Sequence, residues 1–342
     1  MSLIDEQEPI GSLVWSPSET GAIWALTDED ILISWANNTS KTVSKVIGPI
    51  AKHRLPAAST VLTKSLRKEI IAAARFDFGG LAIHFPMHRL TPELELLRLA
   101  VSRLSEAGLF FFDDSQSEFE ELNAIGALIR ELRNGSLDPT FMSARKNFRR
   151  KLTKNHQGLL LHFEQLASQF NRILAIRIDF SYQKAASWPA DTRTPVRFEE
   201  IKQHRRHLLN WIKKKFKMVG FAWRLEYGLH KGYHYHFLLL LNGDKHQQAI
   251  KIGMQIGKYW TKEITNGKGL YWNCNAKHYL HSGVGMIHHR DTQRAKNFLA
   301  FVLPYLTKPD ALLEFIPADG SRTFGRSEMK GRRATGGRPR KS

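Results

Sequence analysis

Two histidines one residue apart, His234 and His236, flank Tyr235 in the apolar run YHYHFLLLL (233–241). Alternate side chains on a strand point to one face, so the two imidazoles converge, as two nitrogen ligands to one divalent metal must. The pair alone is a weak signal: 15 His in 342 residues yield roughly 0.7 such pairs by chance. The segment before it strengthens the signal. VGFAWRLEYG (219–228) also reads as a strand, and with Gly228-Leu229-His230-Lys231-Gly232 as a hairpin loop, Tyr227 faces Tyr233 and Glu226 faces His234. Opposed residues on antiparallel strands share a face about 5 Å apart. Glu226, His234 and His236 then form a His-His-carboxylate set with open positions, ligation that suits Mg²⁺ or Mn²⁺ at a phosphodiester. The same alternation puts Arg224 on that face and Trp223, Leu225, Tyr233 and Tyr235 on the other. In ILAIRIDFSY (173–182), Arg177 and Asp179 form a polar face opposite Ile176, Ile178 and Phe180. A solvated antiparallel face would also be polar, but it does not call for paired histidines opposite a carboxylate.

A nucleophile completes the chemistry. PYLTK (304–308) offers Tyr305 and Lys308, three residues apart and so on one helical face, with Pro304 opening a turn or kinking the helix. A phenol with a pKa near 10 is a poor nucleophile until a metal draws charge from the scissile phosphate, and Lys308 is placed to stabilise the developing negative charge.

The elements that must position these groups read as follows. Residues 1–60 show turn residues and no clear period, so short strands or irregular structure are expected. Helices are expected at about 60–76, 92–107 and 118–133, the last with a Ser117-x-x-Glu120 capping box and an Asn134-Gly135 stop. These features make 1–140 a mainly helical N-terminal domain of unknown role. A basic stretch (Arg145, Lys146, Arg149, Arg150, Lys151, Lys154) lies in a connecting helix, 141–167, as a DNA-contacting arm or a solvated face. Residues 168–312 follow the order β-α-β-β-α-β-α: strand 173–182, a basic helix 195–217 opened by Thr194-Pro195, the hairpin, a helix at 246–264, a Gly/Asn-rich excursion to about 282, a strand at 283–291 and a last helix from Thr292. That order suits an α+β domain with an antiparallel sheet. The end, 313–342, is expected to be a disordered basic tail.

Charge is unevenly placed. Of 51 Lys+Arg and 32 Asp+Glu, residues 1–140 hold 13 and 19, and residues 141–342 hold 38 and 13. The back half is therefore polyanion-binding, with Arg205, Arg206, Lys213, Lys214 and Lys215 of the basic helix as DNA contacts. No apolar run approaches the ~20 residues that span a bilayer, no secretory signal opens the chain, and the single Cys274 fits a reducing cytoplasm, so nucleic acid is preferred to a membrane. GMQIGK (253–258) lacks phosphate-loop spacing, which assigns unwinding to a host helicase.

Taken together, Glu226, the G-x-x-x-G loop, His234-hydrophobe-His236 and Tyr305-x-x-Lys308 resemble the HUH endonucleases. The segments RIDFSY, WRLEYG, KGYHYHFLLLL, GMIHHRD and VLPYLTKPD are closest to inovirus and prophage replication proteins of the YagK/YfjJ type, over about 168–312. The resemblance implies an HUH-type antiparallel sheet with flanking helices, metal ligation by His234, His236 and Glu226, Tyr305 as nucleophile with Lys308 beside it, and Arg177 and Asp179 as supporting groups. It implies a rolling-circle initiator in a bacterial host that nicks single-stranded DNA or an origin hairpin, leaves a 5′-phosphotyrosine and needs no small-molecule cofactor. The tyrosine follows the histidines, the order of replication initiators and related single-tyrosine transposases; conjugative relaxases reverse it.

Other readings stand beside this one. Cys274, His278, His281 and His288 or His289 offer a zinc site. The basic helix and tail also suit a non-catalytic DNA-binding regulator. His288-His289-Arg290 hints at a metal-independent tyrosine recombinase.

Overall fold

A computed structural model describes residues 63–84, 87–109, 117–183, 197–228, 232–277, 279, 281–288, 290–307, 313–317 and 319–328, with Thr39 and Thr42. The expectations for the rest of 1–60, for Thr194-Pro195, for Lys308 and for 329–342 lie outside the described residues. The chain divides into two compact units. One holds 1–151 and 309–318, the other 152–308 and 319–342, with the boundary inside one helix.

The first unit contains α1 (Lys64–Ala74), α2 (Phe78–His84), β1 (His88–Leu90), α3 (Pro92–Glu106), α4 (Glu118–Ser136) and β7 (Leu313–Phe315). Leu94, Leu97, Ala100 and Leu104 of α3 and Ile125, Leu128 and Leu132 of α4 are buried at helical spacing. Ser117 and Glu120 form the expected capping box. The expected stop at Asn134-Gly135 does not occur: α4 runs through it to Ser136, because Gly135 leaves the room that Leu96 of α3 fills (a Cβ there would stand 2.4 Å from Leu96 Cδ1). Among the basic residues at the start of the connecting helix, α5 (Pro139–Gln169), Arg145 pairs with Glu93 at 2.9 Å and Lys151 pairs with Glu314 of β7. Glu314 also takes Arg89 at 2.8 Å, and β7 pairs antiparallel with β1.

The second unit is built on an antiparallel sheet of β2 (Arg172–Tyr182), β3 (Gly220–Gly228), β4 (Gly232–Asn242), β5 (Gly269–Asn273), β6 (Gly285–His288) and β8 (Phe324–Arg326), so the protein is α+β. The order is β5-β2-β4-β3-β8, with β6 alongside the N-terminal half of β2 and β5 alongside its C-terminal half. β5 falls in the stretch expected to be irregular. It became a strand because Ile178–Tyr182 present an edge for it to pair with. Likewise β7 and β8 correct the disordered tail expected at 313–342. β8 pairs with β3, and Ser327 closes the edge by accepting from Phe221 N–H at 3.0 Å and sharing a hydrogen bond with His162 Nε2 at 2.7 Å.

Helices cover both faces. On one, α6 (Phe198–Phe216) packs Ile201, Leu208, Ile212 and Phe216, and α7 (Ala249–Tyr259) continues into a π-helical turn at Trp260–Ile264. α7 sits close to β5 because Gly253 and Gly257 carry no side chain: a Cβ on Gly257 would stand 2.1 Å from the Tyr271 ring. GMQIGK is therefore a packing seam. On the other face, Ile173, Ala175, Ala222, Leu238 and Leu240 pack against Leu159, Phe163 and Leu166 of α5 and against Phe298, Leu303 and Leu306. Those last residues belong to a helix broken into α8 (Thr292–Asn297), a π-turn (Phe298–Val302) and α9 (Leu303–Thr307). Pro304 enters just after the widened turn, where its missing N–H is tolerated. Among the described residues no helix is long and apolar enough to cross a membrane.

Gly257→Ala should push α7 off β5 and cost roughly 1–3 kcal/mol, measurable as a lower urea midpoint at unchanged slope; an unshifted midpoint would mean that Tyr271 yields freely.

Candidate metal and tyrosine site

The site lies entirely in the second unit, on the sheet face packed by α5 and α9, where the apolar floor gives way to polar side chains. Its register is the one that the hairpin loop implies: Glu226 pairs with His234 and Tyr227 with Tyr233. Across β4, Asp179 pairs with His236, which Arg224 faces from β3. Glu226 Oε2 lies 3.2 Å from both His234 Nε2 and His236 Nε2. One ligand atom from each of the three residues lies within 4.8 Å of the others.

The remaining imidazole nitrogens fix the orientation. His234 Nδ1 lies 3.2 Å from the Gly232 carbonyl, which can only accept, so Nδ1 carries the proton and Nε2 is left as a ligand atom. His236 Nδ1 is 2.8 Å from Asp179 Oδ1, an ion-pair contact off the ring's hydrogen-bonding direction. Such carboxylate–histidine pairs hold a ligand ring in place and raise its basicity. The nitrogen–nitrogen–carboxylate set, partly exposed at Glu226, fits a divalent cation that keeps open positions.

The electrostatics follow from burial against pairing. Burial alone would lower the His236 pKa, but Asp179 and Glu226 outweigh it and raise it to about 9. Burial opposes ionisation of Asp179, yet His236 and Arg177 hold its carboxyl at about 2. Glu226 is likewise held well below the usual carboxylate range, burial being outweighed by His236 and Arg224, whose Nε lies 2.7 Å from Oε1. A protonated His236 thus sits between two carboxylates.

Tyr305 of α9 stands beside this cluster. Its ring meets His236 edge-on at 5.1 Å between centroids, and the Arg177 guanidinium lies 3.6 Å over it. Burial pushes the phenol pKa up, and Arg177 is the charge that opposes this by favouring the phenolate. Arg177 is also 3.5 Å from Asp179. Its position depends on a residue with no motif signal. Asn275 accepts from Arg177 N–H at 2.9 Å and donates to the Ala175 carbonyl at 3.0 Å, satisfying the β2 backbone where β5 and β6 leave it uncovered. Only the tertiary gap between those two strands reveals it.

Glu226, His234, His236, Tyr305, Arg177, Asp179 and Arg224 are thus brought together; Lys308 lies outside the described residues. The DNA contacts expected on the basic helix are not part of the cluster. α6 covers the opposite sheet face, and Arg205 stacks 3.9 Å over Trp223 there. Arg206, Lys213, Lys214 and Lys215 are exposed on that side. The zinc set is not assembled among the described residues. Cys274 is buried, which pushes its thiol up to about 12, His281 stacks on Phe301, and His278 and His289 lie outside the described residues.

Residues 139–327, more than half of the chain, match the family model of the YagK/YfjJ C-terminal domain. The chain belongs to the YagK/YfjJ family. No curated protein and no solved structure matches it. The YagK/YfjJ domain so delimited contains every strand of the sheet and the whole Glu226–His234–His236–Tyr305 cluster.

Two outcomes follow for this YagK/YfjJ site. His236 is raised from 6.5 to about 9, so its stabilising contribution is fully present below about 6.5 and is lost as pH rises through 9. In EDTA the melting temperature should therefore fall by roughly 5–10 °C between pH 6.5 and 9, and His236→Gln should flatten that slope; a persisting slope would assign it elsewhere. Asp179→Asn should weaken Mn²⁺ binding about 10–100-fold by calorimetry, whereas unchanged affinity would separate Asp179 from the metal.

Proposed function

We propose that this chain is an HUH-type nicking enzyme, a replication initiator of the inovirus and prophage kind, that cuts single-stranded DNA and joins itself to the new 5′ end through Tyr305. The observation that carries this reading is Tyr305, edge-on to His236 and under Arg177, beside a two-histidine, one-carboxylate cluster. A bare ion-pair network has no use for a phenol held against a guanidinium at the rim of such a set.

Glu226, His234 and His236 would hold Mg²⁺ or Mn²⁺. When bound, the cation supplies Lewis-acid polarisation of the scissile phosphate. Asp179 and the Gly232 carbonyl keep the two imidazoles aimed at that position, and Arg224 keeps the Glu226 carboxylate turned toward it. Tyr305 Oη attacks phosphorus as the bond to the 3′-oxygen breaks. The proton that the phenol gives up is matched by the one that the departing 3′-oxygen gains, leaving a 5′-phosphotyrosine and a free 3′-hydroxyl. Arg177, stacked over the ring, favours the phenolate as the phenol gives up its proton, a cation–π contact worth up to about 2 kcal/mol when desolvated. Lys308, three residues beyond Tyr305, would add a second positive charge. The covalent bond conserves the energy of the broken one, so resealing needs no nucleotide. The 3′-hydroxyl is a primer, and unwinding falls to a host helicase.

The test is a denaturing gel of the full chain with labelled single-stranded DNA tiled across its own replicon, in Mn²⁺ or EDTA. A protein-sized labelled adduct should form only with metal and should vanish in Tyr305→Phe. Arg177→Gln should slow it roughly tenfold. DNA binding without any adduct in the wild type would overturn the nicking reading in favour of a regulator.

A further inference from the structure

The face of the sheet that does not carry the site has its own chemistry. There α6 and α7 lie side by side, joined by Trp211 and Tyr259, whose rings stack at 3.9 Å and 5° from parallel. Residues 202–217 contain seven Lys or Arg and residues 245–262 contain four, with no Asp or Glu in either stretch. Lys202 is engaged by Glu199 and Asp319, and Arg205 by Trp223. Lys213, Lys214, Lys215, Lys217, Lys258 and Lys262 are exposed. Lys214 and Lys215 follow Trp211 by three and four residues on α6, and Lys258 and Lys262 flank Tyr259 in the chain.

We propose that this face is a second nucleic-acid surface, one that holds duplex DNA by its phosphates while the single strand occupies the opposite face. Three features favour a duplex backbone as its occupant. Arg206 apart, the exposed cations are lysines, point charges that meet phosphate oxygens without the forked geometry that reads base edges. The aromatics are not free platforms: the Trp211 ring is stacked on Tyr259 and carries Lys215 Nζ 4.7 Å over it. Single-strand binding needs such open rings for its bases. The carboxylates of the candidate site, Glu226 and Asp179, lie on the other side of the sheet, so they do not repel a polyanion bound here. Binding of this kind is insensitive to sequence and steep in salt. The inference rests on the nicking reading only for its biological sense, since the surface can be measured without any cleavage.

The experiment compares the full chain with K213E/K214E/K258E, each confirmed as folded by circular dichroism and melting temperature. The readouts are anisotropy on a labelled blunt duplex and on a labelled single strand across a salt series, sedimentation with phosphatidylserine vesicles, and adduct formation on a short single-stranded oligonucleotide. The variant should lose at least ~10-fold in duplex affinity, and its log–log salt slope should flatten by about 2–3. Its single-strand binding should stay within about twofold of wild type, with unchanged adduct formation. Duplex affinity that the variant retains would overturn the proposal, as would an equal loss on single strands, or wild-type protein that sediments with vesicles but leaves duplex unbound. A wild type that binds duplex through these lysines yet forms no adduct would sink the nicking reading alone and leave this surface standing.

Discussion

A buried imidazole between two carboxylates ties three strands together at one point. His236 on β4 meets Asp179 from β2 and Glu226 from β3, and each contact exists only while the three strands keep their register. Taking these groups out of water is costly, and only their mutual attraction offsets the cost. A slip of one residue would turn every one of them to the other face, into the aromatic packing beneath α6, with no partner for its charge. The polar cluster thus specifies the pairing, and the apolar rows on both faces make the specified arrangement stable.

The sheet is two-sided in its side-chain chemistry as well as in its packing. One face changes along its length, from the Leu238 and Leu240 floor under α5 and α9 to the acidic and imidazole groups at its open end. The other is mostly apolar and is closed by α6 and α7, whose outer surfaces carry lysine. The exposed lysines of α6 and α7 and the carboxylates of the site lie on opposite sides of the layer of strands.

The broken helix that delivers Tyr305 shows how local irregularity serves position. The π-turn at Phe298–Val302 shifts the phase of the helix while Phe298 and Val302 stay buried, and Pro304 follows directly after it. The tyrosine then faces the sheet end rather than the core. Asn275 works in the same way on β2, filling the gap between β5 and β6 so that Arg177 can stand over the phenol.

The sequence by itself determined the strands of the cluster and the pairing of β3 with β4, but not that of β2 with β4. Period-two alternation and a five-residue Gly-bounded loop leave one register for β3 and β4, and that register dictates that Glu226 meets His234. It determined the helices wherever an apolar stripe met a capping box, as at Ser117. It did not determine which cations are free, because Arg145 and Lys151 find Glu93 and Glu314, and Arg205 finds Trp223, only after folding. The strands β5, β7 and β8 were invisible for a similar reason: each is three to five residues long and exists because a partner edge is present. The tertiary structure alone decided that Tyr305 and Arg177, 128 positions apart in the chain, would touch, and that the basic helix would lie behind the sheet. Spacing along a strand is local geometry that a sequence carries directly, whereas which elements meet is settled by the burial of all of them together.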